Sequence, residues 1–280
     1  MRKIVGIIGF PLEHTLSPAM HNAAFQKLGI DYEYVPFEVS PEDLEEALNG
    51  LRALRMRGFN VTIPHKETII PLLDEVTKLA RDIGAVNTVV IEEGKSVGYN
   101  TDGPGFINSL KEDAKFDPKG KKAVIIGAGG ASRAVATMLA AAGAKTIVFS
   151  DMIETKAKQL AGYIRTQLDI PAIAVKIDSN DLQESIEGSE LLVNASPVGM
   201  FPRIDDSPLS EKIKLHSGLM VYDLVYNPQE TKLLKAAKAV GARSCSGLGM
   251  LVRQGALAFT IFTGEEAPID VMWKAAQAEL

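Results

Sequence analysis

The sequence predicts an α/β protein in two parts, a mixed α/β region followed by a doubly wound parallel sheet. Three observations predict it. At 280 residues the chain exceeds the usual size of one hydrophobic core, so about two domains are expected. The run Ala-Val-Ile-Ile-Gly-Ala-Gly-Gly-Ala-Ser-Arg-Ala at 123–134 places four apolar residues, suited to a buried parallel strand, directly before glycines and a helix-forming segment. Beyond that run, strand and helix patterns alternate regularly, which is the signature of a parallel sheet covered on both faces.

In the first region Lys3 to Phe10 reads as a buried strand that Pro11 ends. Ser17-Pro18 opens a helix with a hydroxyl at its cap and proline at its first position, Met20, Ala23, Ala24 and Leu28 form the inner face, and Gly29 stops it. Tyr32 to Val39 is a second strand. Ser40 caps the next helix, with Pro41 following, and Leu44, Ala47, Leu48 and Leu51 give it an i, i+3, i+4, i+7 stripe. Gly58 to Ile63 is a strand ending at Pro64, and Leu72 to Ile83 supplies more helix. Ala85 to Ile91 and Ser96 to Asn100 pair as a hairpin around Glu92-Glu93-Gly94-Lys95. Asp102 to Asp113 is helical, and Asp117-Pro118-Lys119-Gly120 marks a boundary.

The second region begins with the strand before Gly127. It continues as helix Ser132 to Ala142, strand Lys145 to Ser150, helix Ile153 to Gln167, strand Ala172 to Ile177, a short helix near Asp181 to Ile186, and strand Glu190 to Ala195. Val221 to Val225 is a further strand, Gln229 to Val240 a helix, and Ala242 to Cys245 a short last strand. The helices Met250 to Phe262 and Pro268 to Ala278 lie beyond this unit and are expected to return to the first. The expected domains are therefore 1–103 with 248–280, and 104–247.

Glycine chemistry gives the loop at 127–131 its meaning. Gly127 can make the tight turn, and Gly129, with no side chain, lets the backbone approach a pyrophosphate whose charge the N–H groups of the following helix favour. Gly130 and Ala131 complete the candidate cradle, and Ser132 takes the third fingerprint position, where it still permits close helix packing. A lone G-x-G equally marks a plain turn, so the flanking strand and helix decide for a Rossmann-type dinucleotide site. In such a fold the residue ending the second strand meets the adenosine ribose, and here it is Asp151. A carboxylate accepts from ribose hydroxyls and repels a 2′-phosphate, and Ser150-Asp151-Met152-Ile153-Glu154 holds no arginine, so NAD is favoured with NADP as the alternative. Capping of the next helix is the competing role for Asp151. These features leave open a Rossmann methyltransferase or a non-catalytic nucleotide sensor as well as a dehydrogenase.

With 46% hydrophobic residues the chain can fill a core, and its net charge of −5 argues against a broad nucleic-acid surface. The single cysteine, Cys245, excludes an internal disulfide framework and suits a reduced, cytoplasmic protein. The opening Met1-Arg2-Lys3-Ile4 leads into a strand rather than a signal peptide, and no apolar run is long enough to span a membrane. His14, His21, His65 and His216 have no metal-ligand spacing, so no metal is expected and each is assigned to polar scaffold.

Several short runs carry the chemistry: His14-Thr15-Leu16-Ser17-Pro18, Asn60-Val61-Thr62-Ile63-Pro64-His65-Lys66, Ala85-Val86-Asn87-Thr88, Gly98-Tyr99-Asn100-Thr101-Asp102-Gly103 and Arg253-Gln254-Gly255-Ala256-Leu257-Ala258-Phe259. Together, and in this order along essentially the whole chain, they resemble the shikimate dehydrogenase family. The resemblance implies a substrate-binding first domain, a Rossmann second domain and a cleft between them. It implies reversible reduction of 3-dehydroshikimate to shikimate by a nicotinamide cofactor, within chorismate and aromatic amino acid biosynthesis.

Hydride arriving at a carbonyl carbon leaves a developing alkoxide that needs a proton donor. Lys66 matches the family's catalytic lysine and Asp102 its carboxylate partner. Taken alone, Lys66 would read as a solvated surface lysine. Thr62, Asn87 and Gln254 match contacts to ring hydroxyls, whereas Asn60 equally serves backbone groups. Thr15 and Ser17 match the hydroxyl pair that holds the substrate carboxylate, although capping alone would also account for Ser17, and Tyr226 matches another carboxylate contact. Ser196, in Asn194-Ala195-Ser196-Pro197-Val198-Gly199-Met200, resembles the loop over which cofactor passes, and Gly247 and Met250 resemble positions near the nicotinamide, where turn and core demands also select them. Thr15 in place of the usual first serine, and Asp151 in place of an Asn-Arg-Thr clamp, resemble the NAD-using branch that also oxidises quinate, so an NAD-dependent quinate/shikimate dehydrogenase is the alternative. The expected partners are small-molecule substrates, with no nucleic acid or membrane, in a monomer or homodimer.

Overall fold

A computed structural model describes residues 2–12 and 15–280, and His14 lies outside the described residues. The chain forms two compact units, Met1–Gly105 with Val252–Leu280, and Phe106–Leu251.

The first unit contains β1 (Lys3–Gly9), α1 (Ser17–Leu28), β2 (Tyr32–Glu38), α2 (Leu44–Ala53), β3 (Gly58–Val61), β4 (Glu75–Val76), α3 (Lys78–Ile83), β5 (Thr88–Glu92), β6 (Lys95–Tyr99) and the start of α4 (Asp102–Glu112). The strands make one six-stranded sheet in the order β2-β1-β3-β5-β6-β4. β1 pairs in parallel with β2 and β3, whereas β3, β5 and β6 are antiparallel. The hairpin between β5 and β6 turns on Glu93 (φ 51°) and Gly94 (φ 82°), the two positive φ values that let a two-residue turn follow the strands' twist. One face of the sheet is sealed by Leu44, Leu48 and Leu51 of α2 against Ile8, Phe59, Val61 and Val89. Gly29 (φ 64°) ends α1.

Local expectations differ from the structure at three places in this unit. Ser17 is the first residue of α1 and not its cap, because Leu16 occupies the cap position and makes no side-chain bond. Ser40 precedes a short 3-10 turn, Pro41–Asp43, and its hydroxyl donates to Asp43 Oδ2 at 2.7 Å instead of capping α2. The segment expected to be helical from Leu72 to Ile83 is broken. A 3-10 turn at Ile70–Leu72 gives way to β4, which pairs in parallel with β6, and α3 begins only after Thr77 accepts from the Ala80 N–H. The Asp74 carboxylate causes the break: it accepts from the Ser96 N–H at 2.8 Å and hydroxyl at 2.7 Å and draws the chain onto the sheet edge.

The second unit contains β7 (Lys122–Ile126), α5 (Gly130–Ala141), β8 (Thr146–Ser150), α6 (Glu154–Leu168), β9 (Ala172–Ala174), α7 (Asn180–Glu187), β10 (Leu191–Asn194), β11 (Met220–Asp223), α8 (Lys232–Ala239) and β12 (Arg243–Ser246). α9 (Leu248–Thr263) starts in it, and α10 (Ile269–Ala278) packs on α1 in the first unit. All six strands are parallel, in the order β12-β11-β10-β7-β8-β9. The order reverses between β10 and β7, the switch point where such sheets open a crevice at the carboxyl ends of their strands. Alternation along the strands divides the core: Ile125 and Phe149 pack with Val135, Leu139, Leu160 and Ile164 on one face. Val124 and Val148 pack with Leu182, Ile186, Leu233 and Leu234 on the other. Among the described residues no helix is long and apolar enough to cross a membrane.

The packing sets expectations for two substitutions. Gly127 has φ 106°, and a Cβ there would lie 2.9 Å from the Ala195 carbonyl oxygen. Gly127→Ala is expected to cost about 2 kcal/mol or more, read as a lowered midpoint in urea unfolding. His21 is 1% exposed and stacks on the Tyr34 ring at 4.4 Å, and burial lowers its pKa from 6.5 to about 3. The unfolded chain therefore binds the extra proton, and stability present above pH 6.5 is lost as pH falls toward 3. Relative to the wild-type chain, His21→Phe should gain about 1.4 kcal/mol per unit of pH lowered within that window, and a pH-independent difference between the two urea curves would refute it.

Candidate active site

Lys66 follows β3 on a loop that is pinned from both sides. The His65 N–H donates to the Thr62 carbonyl at 2.9 Å, the His65 ring is fully buried with Nε2 2.7 Å from the Val39 carbonyl, and the Lys66 carbonyl accepts from the Val86 N–H at 2.7 Å. This anchoring directs the Lys66 side chain to Asp102, the first residue of α4. Lys66 Nζ donates to Asp102 Oδ2 at 2.6 Å, with the side chains only 17% and 6% exposed. Asp102 Oδ1 accepts from Asn87 Nδ2 at 2.9 Å.

Asn87 is the hub behind the pair. Its amide nitrogen also faces Thr101 Oγ1 at 2.8 Å and Gln254 Oε1 at 3.3 Å, and its oxygen accepts from the Thr101 N–H at 2.7 Å and the Thr88 hydroxyl at 3.2 Å. Asn60 serves backbone and scaffold: it donates to the Asn87 carbonyl at 3.1 Å and to Thr88 Oγ1 at 2.9 Å, and it accepts from the Tyr34 hydroxyl at 2.7 Å. Lys66, Asp102, Asn87 and Gln254 are thus joined in one polar cluster of the first unit. Ser17 adjoins it through the Tyr34 hydroxyl and is buried, Thr15 is half-buried with Oγ1 3.4 Å from the Ser17 N–H, and Thr62 is half-buried at the end of β3. Thr101 and Tyr34 were not singled out from sequence. The signal for Thr101 is its place beside Asp102; none marks Tyr34 in a strand pattern.

In the second unit the glycine loop forms as a cradle at the end of β7. Gly127 packs its backbone against Ala195, and the space where a Gly129 side chain would stand is open. Gly129 is the N-cap of α5, so the N–H groups of Gly130, Ala131 and Ser132 open the helix without intrahelical acceptors, as a bound diphosphate requires. Ser196 is half-buried on the loop after β10, its hydroxyl donating to Asn194 Oδ1 at 2.6 Å. A Cβ on Gly247 would lie 1.9 Å from the Leu224 carbonyl oxygen, so close backbone packing alone requires glycine there. Met250 is buried in the apolar cluster of this unit, and Tyr226 is half-buried after β11. Asp151 Oδ1 accepts from the Ile153 N–H at 2.7 Å in the turn that precedes α6, whose N-cap is Ile153.

Among the described residues, His21, His65 and His216 sit in scaffold surroundings. His21 lies in an aromatic stack and His216 Nε2 is 3.1 Å from the Ile186 carbonyl. Among the described residues no group of three or more His, Cys, Asp or Glu side chains is placed to hold a metal.

Comparison with known proteins agrees with this geometry. Residues 7–89 match the family model of the shikimate dehydrogenase substrate binding domain, and residues 247–277 that of the shikimate 5′-dehydrogenase C-terminal domain. The shikimate dehydrogenase (NADP(+)) of Methanopyrus kandleri is 50% identical over 272 residues, covering 97% of this chain and 94% of that protein. A crystal structure of a shikimate dehydrogenase in complex with NADP+ superposes with a TM-score of 0.91 at 44% identity, covering 99% of this chain and 95% of that one. The Thermus thermophilus shikimate 5-dehydrogenase in complex with NADP(H) and shikimate gives 0.87 at 37% identity, covering 99% and 100%.

These findings overturn the expectation of NAD. Seven further relatives, 44–49% identical, carry NADP(+) in their names, as does the Methanopyrus protein. In the structure Asp151 Oδ1 accepts from the Ile153 N–H two residues on, a local turn that by itself accounts for a carboxylate at this place, so Asp151 is no evidence for a ribose contact. With relatives at this identity over nearly its whole length, and with the lysine–carboxylate pair on one unit and the glycine cradle on the other, the chain belongs to the shikimate dehydrogenase family.

Proposed function

We propose that this chain is a shikimate dehydrogenase that reversibly reduces 3-dehydroshikimate to shikimate with NADP(H), with Lys66 as proton donor and acceptor. It is an oxidoreductase acting on a CH–OH group, in the pathway to chorismate and the aromatic amino acids. The observation that carries the assignment is the buried Lys66–Asp102 pair at 2.6 Å.

NADP(H), when bound, supplies or removes the hydride, and Gly127, Gly129, Gly130 and Ala131 would hold its diphosphate, with Ser196, Gly247 and Met250 completing its surroundings. The chain's own residues handle the proton. Lys66 Nζ holds it for the oxygen that becomes the alcohol, and in oxidation the neutral amine takes it back. Asp102 fixes the ammonium's direction and balances its charge within a largely desolvated cluster. Asn87 has all its polar capacity engaged, so its first task is to hold Asp102, and Gln254 is the group it can release toward a ring hydroxyl. Thr62 offers a further hydroxyl to the ring. Thr15, just before α1, and Ser17, its first residue, bind the substrate carboxylate, helped by the helix's free N–H groups. The domain assignment is substrate binding for the first unit and dinucleotide binding for the second. A reduced cytoplasmic setting completes the reading.

Lys66→Ala is expected to lower kcat by about 10²–10⁴-fold while calorimetric binding of shikimate persists. Asp102→Asn should also lower kcat, by about 10²-fold, because it leaves Lys66 facing an amide. Near-normal turnover in either variant would remove the assigned role. Steady-state kinetics of shikimate and quinate, each with NADP and NAD, test the whole: the highest kcat/KM is expected for shikimate with NADP. A preference for quinate would reassign the substrate, and a preference for NAD would overturn the cofactor.

A further inference from the structure

At the carboxyl edge of the parallel sheet, Asn194 ends β10 and Asp223 ends β11, and the two are register partners with no exposed surface. Asp223 Oδ1 accepts from Asn194 Nδ2 at 2.8 Å and from the Val225 N–H at 3.1 Å, and Oδ2 accepts from the Thr231 hydroxyl at 2.7 Å. Each of these partners donates to the carboxylate; the Asn194 amide and the Val225 N–H can only donate, whereas the Thr231 hydroxyl can also accept. Asn194 is equally committed. Its second amide hydrogen faces the Val198 carbonyl at 3.2 Å, and its oxygen accepts from the Ser196 N–H at 3.1 Å and hydroxyl at 2.6 Å.

The network has a direction. Asp223 orients the Asn194 amide, Asn194 shapes the loop 194–198, and that loop presses its Ala195 carbonyl against Gly127, where a side chain would come within 2.9 Å. The loop thereby borders the switch point beside the glycine cradle, where a parallel sheet receives its ligand. Thr231 ties the far side, since its hydroxyl also caps α8 through the Leu234 N–H at 3.3 Å.

We infer that Asp223 is a positioning residue for the cofactor, acting through Asn194 to hold the Ser196 loop and the Gly127 turn in the shape that binds NADP(H). The inference rests on the dinucleotide reading of the second unit given above. The carboxylate touches no ligand itself. It accepts from all three donors at once, and its replacement by an amide either turns an NH2 against the Asn194 and Val225 donors or makes the Thr231 hydroxyl reverse and accept, with the charge assistance lost in both cases.

The test is a double-mutant cycle read by NADPH fluorescence titration on the full chain, with kcat and KM measured in parallel. Asp223→Asn and Asn194→Ala are each expected to weaken NADPH binding by about tenfold and to raise the NADP(H) KM more than they lower kcat. The double variant should bind no more weakly than the worse single one, because both act on one loop. Losses that multiply in the double variant would show independent roles and overturn the inference, as would unchanged NADPH affinity in a folded Asp223→Asn. If Asp223→Asn does not fold, Thr231→Val, which removes one donor, carries the test: about threefold weaker binding with kcat retained supports the inference, and unaltered binding overturns it. A wild-type chain that fails to bind NADPH would overturn the dinucleotide reading itself, an outcome distinct from variants that bind as well as the wild type.

Discussion

The structure of the first unit is organised by the requirement to keep an ammonium and a carboxylate together out of water. Withdrawing two such ions from solvent costs several kcal/mol each even after relaxation, and their mutual attraction offsets this only when the remaining lone pairs are satisfied. Lys66 and Asp102 meet that condition through depth. Asp102 gives its second oxygen to Asn87, Asn87 is held by Thr88 and the Thr101 N–H, and Asn60 behind it is held by the Tyr34 hydroxyl. The members come from β2, β3, β5, α4 and α9, so the sheet must close before the pair is stable. A lysine that would be solvated on a loop is thereby held ready to exchange a proton, with its geometry fixed before substrate arrives.

On the proposed reading, the second unit binds its dinucleotide with backbone instead of side chains. A diphosphate is recognised by N–H groups at a helix start, and those groups are reachable only where no Cβ intervenes. Gly127 and Gly129 divide the work: Gly127 is forced by its positive φ and by Ala195, while Gly129 opens the space above α5. Because such a cradle carries no chemistry of its own, its loops must be braced from below. The Asn194–Asp223 pair performs this at the carboxyl edge of the sheet, as Asn87 does for Asp102 in the other unit. In both, a fully engaged asparagine amide transmits the position of a buried carboxylate to the groups that face the ligand.

Periodicity and punctuation made most of this legible from sequence. The alternating strands and helices after residue 120, the stripe in α2, the Glu93-Gly94 turn and the stop at Gly29 all depend on local patterns, and the structure contains each of them. What sequence alone could not show were choices among competing partners, some distant and some adjacent. Ser96 pulls Asp74 out of an expected helix, Leu16 rather than Ser17 takes the cap of α1, and Ile153 claims the Asp151 carboxylate on which the NAD expectation rested. At Asp151 the ambiguity is chemical, since a local turn before a helix and a ribose contact ask for the same residue type at nearly the same place. Motif matching located Lys66 and Asp102 but gave no hint that Asn87 would be wholly engaged behind them. Asn194 and Asp223 did leave a faint trace: each is a polar residue closing an apolar strand at the ligand-facing edge of the sheet.

The energetics of Asp223 bear on why such a residue is kept. Its burial outweighs the bonds from Thr231, Val225 and Asn194 and pushes the carboxyl up from 3.8 to about 6. A folded pKa above the unfolded one means that the fold binds this proton more tightly. The associated stability is therefore present below pH 3.8 and is lost as pH rises through about 6. At neutral pH the ionised group costs the fold on the order of 3 kcal/mol, and an apolar residue at this strand end would avoid that cost. It would also orphan the buried donors of Asn194, Val225 and Thr231, a penalty that weighs against the cost of the charge. The ionised form is the one that accepts from all three donors at once, and it is the form present where the loops must be held. The carboxylate thus satisfies three buried donors, and through the Asn194 amide it stands behind the loop beside the glycine cradle.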